Sequence, residues 1–342
     1  MIKIAINGFG RIGRTFFKQA IERPELEVVA VNDLTDEENL AYLLRYDTVY
    51  GRYKKEVGVA DENGKRYLVV GGKKYLSLTE RNPEDLPWKK LGVDVVVEST
   101  GIFTDSEGAG LHLKAGAKRV VISAPAKGDQ QQVMIGVNED KFFSKGLNPI
   151  TSNASCTTNC IVPCAAVMME NPGVKKAMLN TIHAYTATQG LVDSPAKGDF
   201  TRGRAAAQNI VPSHTGAAKA TAQSLPEYEG IFDAIAIRVP VVSGSIIDFT
   251  FLAKKKISAE EINDIFRKAA KEKKWQGILR VSEEPLVSSD IIGDTHASIV
   301  DLSMTRVVDG DLVKILSWYD NEWGYSYTLL EHVIRVGNLI KK

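Results

Sequence analysis

The segment IKIAINGFGRIGRTFFKQA, residues 2–20, joins a run of apolar, mostly β-branched residues to a helical pattern through closely spaced glycines. Gly8, Gly10 and Gly13 form the spacing G-x-G-x-x-G at this junction. Glycines at such positions allow a tight turn and let backbone amides approach a pyrophosphate at the amino end of a helix. The segment therefore predicts the first βα unit of a dinucleotide-binding fold.

The next strand pattern, LEVVAVND, ends in Asp33, which lies 20 residues beyond Gly13. An acid at this distance can hydrogen-bond the adenosine ribose. The same carboxylate would repel a 2′-phosphate, so the pattern favours NAD over NADP. A tight turn followed by an incidental surface aspartate is the alternative, but strand, glycines, helix and acid occur here in register.

Alternating strand and helix patterns continue through the first half of the chain. DVVVEST at 94–100 and KRVVISAP at 118–125 are further buried strand patterns. Between them, DSEGAGLHLKAG at 105–116 is typical of a crossover helix that ends at a glycine. This alternation predicts an α/β fold with a Rossmann-type, doubly wound parallel sheet.

The second half carries longer strand patterns and a helical pattern, SAEEINDIFRKAAKEK at 258–273. Long strands of this kind favour an antiparallel sheet, so we expect an α+β second domain with a mostly antiparallel sheet. A long polar segment, about 187–209, interrupts them, and loops of that length in a compact domain are usually functional or disordered. The strand patterns are at 177–186, 232–255, 297–305 and 312–320.

Composition narrows the class of protein. The chain has 342 residues with 43 basic and 42 acidic side chains, so two domains are favoured and no overall positive field attracts nucleic acid or anionic membrane. Three cysteines in so long a chain do not form a disulfide framework, and the longest apolar stretch, IVPCAAVMM, is too short to span a membrane. We expect a cytoplasmic protein with no membrane and no dedicated nucleic-acid partner.

The segment SNASCTTNC starts a helical pattern and places Cys156 near its amino end, with Ser155 or a nearby threonine as the cap. The helix dipole and free amides stabilise a thiolate there and can lower the thiol pKa. The same amides could hold an oxyanion when the sulfur attacks a carbonyl. Pro163 fits only if regular helix begins near Asn159 or is kinked at the proline.

Two other readings of these thiols stay open. Free cysteines are commonly buried structural residues, and Cys156, Cys160 and Cys164 recur every four residues on one helix face. Zinc binding by three thiols on one short stretch, with no matching cysteine pair elsewhere, does not fit the usual ligand spacing. We expect no metal site, and we interpret Cys160 and Cys164 as core residues.

A nucleophilic thiol that passes on a hydride from its adduct needs a base. His183 ends a strand pattern and His214 lies in VPSHTGAAK, and the residues alone do not separate these two candidates. Hydroxyl, glycine and arginine residues near both suggest a phosphorylated substrate, because the arginine fork matches phosphate oxygens. They are Thr186, Arg202, Arg204, Thr215, Gly216 and Arg238.

Six motifs carry a family resemblance: INGFGRIGR, SNASCTTNC, HAYTATQ, RGRAAAQNIVPSHTGAAKA, RVP and WYDNEWGYS. In content and order they resemble the phosphorylating glyceraldehyde-3-phosphate dehydrogenase family, from residue 1 to about 340. The resemblance implies NAD-dependent oxidation of D-glyceraldehyde 3-phosphate, with inorganic phosphate, to 1,3-bisphosphoglycerate in glycolysis or gluconeogenesis. It also implies a homotetramer.

The resemblance assigns roles to individual residues. Cys156 would form the thiohemiacetal and thioester, with His183 as its base. The substrate and inorganic phosphate would contact Ser155, Thr157, Thr186, Arg202, Thr215, Gly216 and Arg238. NAD would contact Gly8, Gly10, Arg11, Ile12, Gly13, Asp33, Arg81, Thr100, Ser123 and Asn321, the last orienting the nicotinamide amide.

The same resemblance sets the domain limits. An NAD-binding domain would occupy residues 1–155, joined by a C-terminal helix at 320–342, and a catalytic domain would occupy 156–319. The long polar segment matches the family's S-shaped loop at a subunit interface. Thr201 departs from the pattern, because many relatives have an arginine at its position.

Three alternatives remain from the sequence. Erythrose-4-phosphate dehydrogenase shares the cysteine and histidine, and aspartate-semialdehyde-type dehydrogenases share the chemistry on a related plan. A cofactor- or nucleic-acid-binding protein without turnover is the alternative from another functional class.

Overall fold

The computed structural model describes residues 1–128 and 130–340, which fall into two compact units. Ser155 starts the main part of the second unit, and Ser326 returns the chain to the first. The first unit contains residues 1–133, 140–154 and those from 326 onward, and the second contains 134–139 and 155–325.

The first unit is built on one large sheet and a separate two-stranded hairpin. Its strands are β1 at Ile2–Asn7, β2 at Leu26–Asn32, β3 at Tyr46–Asp47, β4 at Gly51–Arg52, β5 at Val57–Glu62, β6 at Lys65–Val70, β7 at Lys73–Leu78, β8 at Val95–Glu98, β9 at Arg119–Ile122, β10 at Gln131–Gln132 and β11 at Ile150–Ser152. The helices up to this point are α1 at Arg11–Ala20, α2 at Glu37–Arg45, α3 at Trp88–Leu91, α4 at Ser106–Lys114 and α5 at Glu139–Lys145.

Across the described residues the large sheet has the order β10-β11-β9-β8-β1-β2-β7-β6-β5. Strands from β10 to β7 are parallel to their neighbours, whereas β7, β6 and β5 form an antiparallel extension that the sequence patterns did not predict. The chain adds β2 on one side of β1 and β8 on the other, so the strand order reverses beside β1. Sheets of this kind bind ligands at the carboxyl ends of the strands near the reversal.

Helix α1 follows the glycine turn because its apolar side chains recur at helical spacing. Phe16 and Phe17 are fully buried and pack in the core of the first unit, as that spacing predicts. The last helix, α9 at Trp323–Ile340, adds Leu329 and Val333 to the same core. Full burial of a side chain of this size contributes roughly 1.5–3 kcal/mol, so α9 is a substantial part of this core.

The second unit is built on a second sheet with helices packed against it. Its strands are β12 at Val174–Ala184, β13 at Val211–His214, β14 at Phe232–Val239, β15 at Ser245–Ala253, β16 at Leu279–Ser282, β17 at Ser298–Val308 and β18 at Leu312–Tyr319. Its helices are α6 at Cys156–Glu170, α7 at Ala217–Ser224 and α8 at Ala259–Ala269.

This sheet has the order β13-β14-β12-β15-β18-β17-β16 over the described residues. Most neighbours are antiparallel, but β12 is parallel to β14 and β16 is parallel to β17. The predicted fold class, a Rossmann-type domain with a mostly antiparallel α+β partner, is therefore confirmed. Within the predicted polar segment the structure has a short 3₁₀ turn at Phe200–Gly203 and no strand.

Helix α6 begins at Cys156 and continues through Pro163. Of the two predicted alternatives, regular helix beginning near Asn159 is therefore wrong, and a kink at Pro163 stays a prediction. A proline at this place removes the hydrogen bond that its amide would give the Asn159 carbonyl, yet the turns on both sides stay helical. Burial of most of the helix offsets that loss.

The lengths and compositions of the helices bear on membrane association. No helix in the ranges 1–128 and 130–340 is both long enough and apolar enough to cross a bilayer.

Candidate active site

The candidate nucleophile, Cys156, is the first residue of α6. Ser155 is the N-cap, and its hydroxyl accepts a 3.0 Å hydrogen bond from the Thr158 amide. A serine here satisfies one of the amides that a helix start leaves without an intrahelical partner. The backbone amides of Cys156 and Thr157 lie beside the sulfur and favour its ionised form.

His183 is the side chain that faces this sulfur: its Nε2 lies 3.3 Å from the Cys156 Sγ. The histidine stands near the carboxyl end of β12, and the parallel strand β14 places Arg238 directly opposite. Paired residues on adjacent strands project from the same face of a sheet, so imidazole and guanidinium lie together. His183 is only 3% exposed, which limits its contact with water.

Burial controls the charge of the Cys156–His183 pair. It raises the pKa of the Cys156 thiol, although Arg238 and the Thr157 amide act in the opposite direction. It lowers the pKa of His183 to about 3, and the charge of Arg238 adds to that effect. The helix terminus does lower the thiol pKa as predicted, but burial has the larger effect and the net shift is upward. At neutral pH the pair rests as a thiol and a neutral imidazole.

The Nδ1 atom of His183 has two neighbours that favour different tautomers. The Ala184 carbonyl oxygen, an acceptor, is 2.6 Å away, and Arg238 Nη1, a donor, is 2.7 Å away. Arg238 Nη1 also donates to the Ala184 oxygen over 3.1 Å. A proton on Nδ1 leaves the Nε2 lone pair facing Cys156, whereas donation from Arg238 to Nδ1 places the proton on Nε2. The position of Arg238 therefore bears on the basicity of Nε2.

Tyr319 supports this pair and was not identified from the sequence. Its hydroxyl lies 2.9 Å from Thr157 Oγ1 and 2.8 Å from Thr181 Oγ1, and its ring meets the His183 ring edge-on at 5.9 Å. These contacts connect the first turn of α6 to β12 and β18. Their partners are 162 and 138 residues away along the chain, so no local pattern could predict them.

The other two thiols lie deeper in the second unit. Cys160 and Cys164 are fully buried, and the Cys164 Sγ is 3.1 Å from the Ser298 hydroxyl. Burial raises the pKa of both thiols, and all three cysteines of the chain are free. Within 1–128 and 130–340, no group of three histidine, cysteine or acidic side chains is arranged to hold a metal ion.

The anion-binding candidates fall into two sets. Arg202 donates from Nε to the Ser213 hydroxyl over 2.7 Å and from Nη2 to the His214 carbonyl over 3.2 Å. The structure thus holds this arginine against β13, directly before Thr215 and Gly216 at the start of α7. In the second set, Arg238 on β14 contacts His183, and Thr186 lies two residues beyond the end of β12.

Arg204 differs from Arg202, although only Gly203 separates the two in the same motif. Its Nε pairs with Asp193 at 2.9 Å, and both side chains are about 60% exposed. Such a surface pair contributes little free energy. The sequence could not distinguish the two arginines, because the difference depends on which partner each meets across the loop.

A cleft of about 480 Å³ opens in the first unit at the carboxyl ends of β1, β2 and β8. Its volume lies in the range typical of small-molecule sites. The predicted cofactor residues in its lining are Gly8, Gly10, Asp33, Arg81 and Thr100. Asn7, Asn32, Glu80 and Ser99 also line it and were not predicted.

The glycines shape one wall of this cleft. Gly8 has a φ of +92°, and a Cβ added to Gly13 would lie 2.1 Å from the Gly8 carbonyl oxygen, so neither position accepts a side chain. A Cβ on Gly10 would meet no described atom within 4 Å apart from its chain neighbours. Gly10 is the N-cap of α1, so the space beside it adjoins helix amides that suit a pyrophosphate.

Comparison with known families covers most of the chain. Residues 2–106 match the family described as glyceraldehyde 3-phosphate dehydrogenase, NAD binding domain, and residues 155–321 match the C-terminal domain of the same enzyme. The chain belongs to the glyceraldehyde-3-phosphate dehydrogenase family.

Individual relatives agree with this assignment over nearly the whole length. Glyceraldehyde-3-phosphate dehydrogenase of Streptomyces coelicolor is 49% identical over 338 residues, covering 98% of this chain and 99% of the relative. The Geobacillus stearothermophilus enzyme is 50% identical over 330 residues, covering 96% of each chain. Glyceraldehyde-3-phosphate dehydrogenase 1 of Bacillus subtilis is 48% identical with the same coverage.

Membership of the glyceraldehyde-3-phosphate dehydrogenase family makes the chain an NAD-dependent oxidoreductase of the phosphorylating type. The cleft fits the adenosine part of NAD in one further respect. Asp33 accepts hydrogen bonds from the Phe9 amide at 2.7 Å and the Thr35 amide at 3.0 Å, which fix its carboxylate at the end of β2. A fixed negative charge in this position disfavours a 2′-phosphate.

Four other residues that the family resemblance predicted to contact NAD, namely Arg11, Ile12, Ser123 and Asn321, lie outside the lining of the cleft. Arg11 Nη1 pairs with Asp47 at 2.8 Å, and Ile12 packs partly buried against the first core. Ser123 directly follows β9, where its amide donates to the Glu98 carbonyl. In the second unit, the Asn321 side-chain oxygen accepts from the Gly244 amide at 3.1 Å and the Ser245 hydroxyl at 2.9 Å.

Proposed function

We propose that this chain catalyses the phosphate-dependent oxidation of D-glyceraldehyde 3-phosphate by NAD, giving 1,3-bisphosphoglycerate. The contact between the Cys156 Sγ and the His183 Nε2, at the start of a helix and beside Arg238, carries this proposal. A thiol, a base and a fixed cation are the groups that covalent oxidation of a phosphorylated aldehyde requires. The names of the bacterial relatives support the substrate.

The first step is addition of the Cys156 sulfur to the aldehyde carbon. Because the thiol and imidazole are both neutral at rest, the Sγ–H proton moves to His183 Nε2 as the C–S bond forms. The amides of Cys156 and Thr157 are suited to hold the carbonyl oxygen while negative charge develops. The imidazolium then protonates that oxygen, which leaves a thiohemiacetal on Cys156.

The second step converts this adduct to a thioester. NAD, when bound, accepts the hydride. His183 takes the hydroxyl proton as the hydride leaves the same carbon, so the thioester and the imidazolium form together. Inorganic phosphate then attacks the thioester carbon and the C–S bond breaks. The Cys156 sulfur recovers its proton from His183, and the proton of the attacking phosphate goes to solvent.

Binding the substrate phosphate is assigned to Thr186 and Arg238. An arginine that turns towards a phosphate no longer donates to His183 Nδ1, which then bears the proton and donates to the Ala184 oxygen. That tautomer leaves Nε2 as the base. Substrate and inorganic phosphate are further positioned by Ser155, Thr157, Arg202, Thr215 and Gly216.

The cofactor roles follow the same proposal. Asp33 binds the adenosine ribose, and Asn321 orients the nicotinamide amide. The amides around Gly10 hold the pyrophosphate. The remaining contacts are assigned to Gly8, Arg11, Ile12, Gly13, Arg81, Thr100 and Ser123.

The domain roles, assembly and location are part of the proposal. We assign NAD binding to residues 1–155 with the C-terminal helix, and catalysis to 156–319. A homotetramer rests on the family resemblance, whereas a cytoplasmic location rests on the cysteine content and composition of the chain. Size-exclusion chromatography with light scattering tests the assembly directly.

The deciding experiment is an assay of NADH formation from D-glyceraldehyde 3-phosphate and NAD, with and without inorganic phosphate. We expect turnover that depends on phosphate, because the thioester needs an acceptor better placed than water. Erythrose 4-phosphate, tested in the same assay, should give a much lower kcat/KM. Folded protein that binds NAD without oxidising either aldehyde would favour a non-catalytic binding protein and would refute the proposal.

The Asp33 carboxylate yields a first prediction. Asp33→Asn keeps the size of the side chain but removes the charge that opposes a 2′-phosphate. We expect the ratio of kcat/KM for NAD to that for NADP to fall by about tenfold or more, the effect of roughly one charged hydrogen bond. Asp36→Asn, at the exposed N-cap of α2, is the matched control and should leave the ratio unchanged. An unchanged ratio in Asp33→Asn would show that other groups set the preference.

Arg238 yields a second prediction. Arg238→Gln removes a half-buried cation from beside Cys156 and His183, so the KM for glyceraldehyde 3-phosphate should rise by roughly 10- to 100-fold. Arg267→Gln, which removes a surface cation from α8, should change the KM less than twofold. A normal KM in Arg238→Gln would remove this arginine from the substrate site.

A further inference from the structure

A chain of buried polar side chains crosses the first unit at the carboxyl ends of β8, β1 and β2. Glu98 is 1% exposed, and the other side chains of this hydrogen-bonded network are also buried. Burying an ionised carboxylate is costly unless donors surround it. The members are Trp88, His112, Glu98, Asn7 and Asn32.

Trp88 sets the direction of the hydrogen bonds. Its indole N–H can only donate, and it lies 3.0 Å from His112 Nδ1. Nδ1 therefore accepts, and the proton of the neutral imidazole is on Nε2. From there it is donated over 3.0 Å to the Glu98 Oε2. The indole N–H thus holds the imidazole in one tautomer.

The Glu98 carboxylate accepts from four donors. Oε2 receives His112 Nε2 and Asn7 Nδ2, the latter at 2.6 Å. Oε1 receives the Thr100 amide at 2.9 Å and the Thr100 hydroxyl at 2.5 Å. Both carboxyl oxygens of Glu98 therefore face donors. The Thr100 hydroxyl donates its proton to Glu98 and accepts from the Ile102 amide at 3.0 Å, so it can offer a ligand in the cleft only its remaining lone pair.

The other end of the chain reaches the opposite wall of the cleft. The Asn7 side-chain oxygen accepts from Asn32 Nδ2 at 2.7 Å. Asn32 in turn accepts from the Glu80 amide and donates to the Glu80 carbonyl, both at 2.8 Å. Glu80 directly precedes Arg81 in the cleft lining. The polar chain thus connects Thr100 on one side of the cleft to Arg81 on the other.

We propose that Glu98, oriented by His112 and Trp88, is a positioning residue for NAD. It fixes the Thr100 hydroxyl as an acceptor and, through Asn7 and Asn32, fixes the segment that carries Arg81. Main-chain hydrogen bonds already join β1 to β2 and β8, so the side-chain network is not needed to hold these strands together. Its two ends, at Thr100 and Arg81, both lie in the cleft, which indicates a role in shaping the cleft. This inference rests on the proposed assignment of the cleft to NAD.

The test is direct calorimetric titration of NAD into Glu98→Gln. The glutamine side chain replaces one carboxylate oxygen by an NH₂ group, which faces donors. Either Thr100 or the pair His112 and Asn7 then loses its hydrogen-bond acceptor. We expect the Kd for NAD to rise about tenfold or more and the KM for NAD to rise in parallel. The KM for glyceraldehyde 3-phosphate should stay within twofold of the wild-type value. Binding is measured without turnover, so a failed activity proposal would not be confused with a failed positioning role.

His332→Gln is the matched control. His332 is also fully buried in the first unit, but its ring contacts Thr151 and Asn153. We expect it to lower the Tm while the Kd for NAD stays within twofold. An unchanged Kd in Glu98→Gln, or a Kd that rises in step with the loss of Tm in both variants, would overturn the proposal.

A double-mutant cycle keeps the proposal testable should Glu98→Gln fail to fold. Trp88→Phe removes the donor that fixes His112, and Thr100→Val removes the hydroxyl at the cleft. In the side-chain network, His112 and Glu98 lie between Trp88 and Thr100. The effects of two substitutions at distant, uncoupled residues normally add. We expect Trp88→Phe to raise the Kd about threefold in the wild-type background but not in Thr100→Val. If the two substitutions change the Kd for NAD additively, Trp88 does not act through Thr100 and the proposal is wrong.

Discussion

Cys156→Ser is expected to reduce phosphate-dependent NADH formation by about 10⁴-fold or more, the range seen when a covalent nucleophile is removed. The serine hydroxyl is a far weaker acid than the thiol. It would occupy a site where burial already raises the pKa of the sulfur nucleophile, so His183 cannot deprotonate it usefully. Steady-state assays at saturating NAD, with NAD binding measured separately, give the result.

Cys160→Ala provides the matched control, since this thiol lies one helical turn beyond Cys156 on α6 and is fully buried. We expect it to lose some stability to the small cavity but to retain most activity. Iodoacetamide should inactivate Cys160→Ala and wild type alike. If Cys156→Ser keeps more than a tenth of the wild-type rate, another group is the nucleophile and the covalent mechanism is wrong.

His183→Gln is expected to lower kcat/KM by about 10²–10⁴-fold, the usual contribution of a positioned base. Without the base, Cys156 must ionise before it attacks. Its raised pKa makes the thiolate scarce at neutral pH, and the thiolate fraction rises tenfold per pH unit below that pKa. The remaining activity should therefore increase about tenfold per unit between pH 6 and 8.

The pH profile separates a catalytic from a structural role for His183. Burial lowers the pKa of His332 to about 3, as it does for His183, but His332 belongs to the first unit. His332→Gln should keep the wild-type pH profile, even with a reduced Tm. A His183→Gln enzyme whose profile parallels that of the wild type would show that the imidazole does not remove the thiol proton.

Local patterns in the sequence were sufficient for the parallel part of the first unit's sheet, but not for its antiparallel extension β7-β6-β5. The glycines at 8, 10 and 13, the spacing of Phe16 and Phe17, and the acid at 33 each depend on residues within one βα unit. The cap at Ser155 is equally local, because it bonds an amide three residues ahead. These features follow from short-range geometry, which a single sequence records directly.

Long-range packing decides the properties that the sequence did not reveal. The pKa of Cys156 depends on how completely the folded chain covers the sulfur, and the helix end alone suggested the opposite direction. His183 and Arg238 are 55 residues apart and meet only because β12 pairs with β14. The cluster around Glu98 likewise draws on separate strands and a helix, so its members read as unrelated polar residues along the chain.

The parallel pairing of β12 with β14 has a topological consequence. Two parallel strands cannot be joined by a hairpin, so the chain must travel back the length of the sheet before β14 begins. The connection from Tyr185 to Ile231 runs back to the start of β14, and it contains Arg202 and Thr215. Had the two strands run in opposite directions, His183 and Arg238 would have ended at opposite edges. One choice of strand direction thus brings a base, a cation and a long polar loop to the same edge of the sheet.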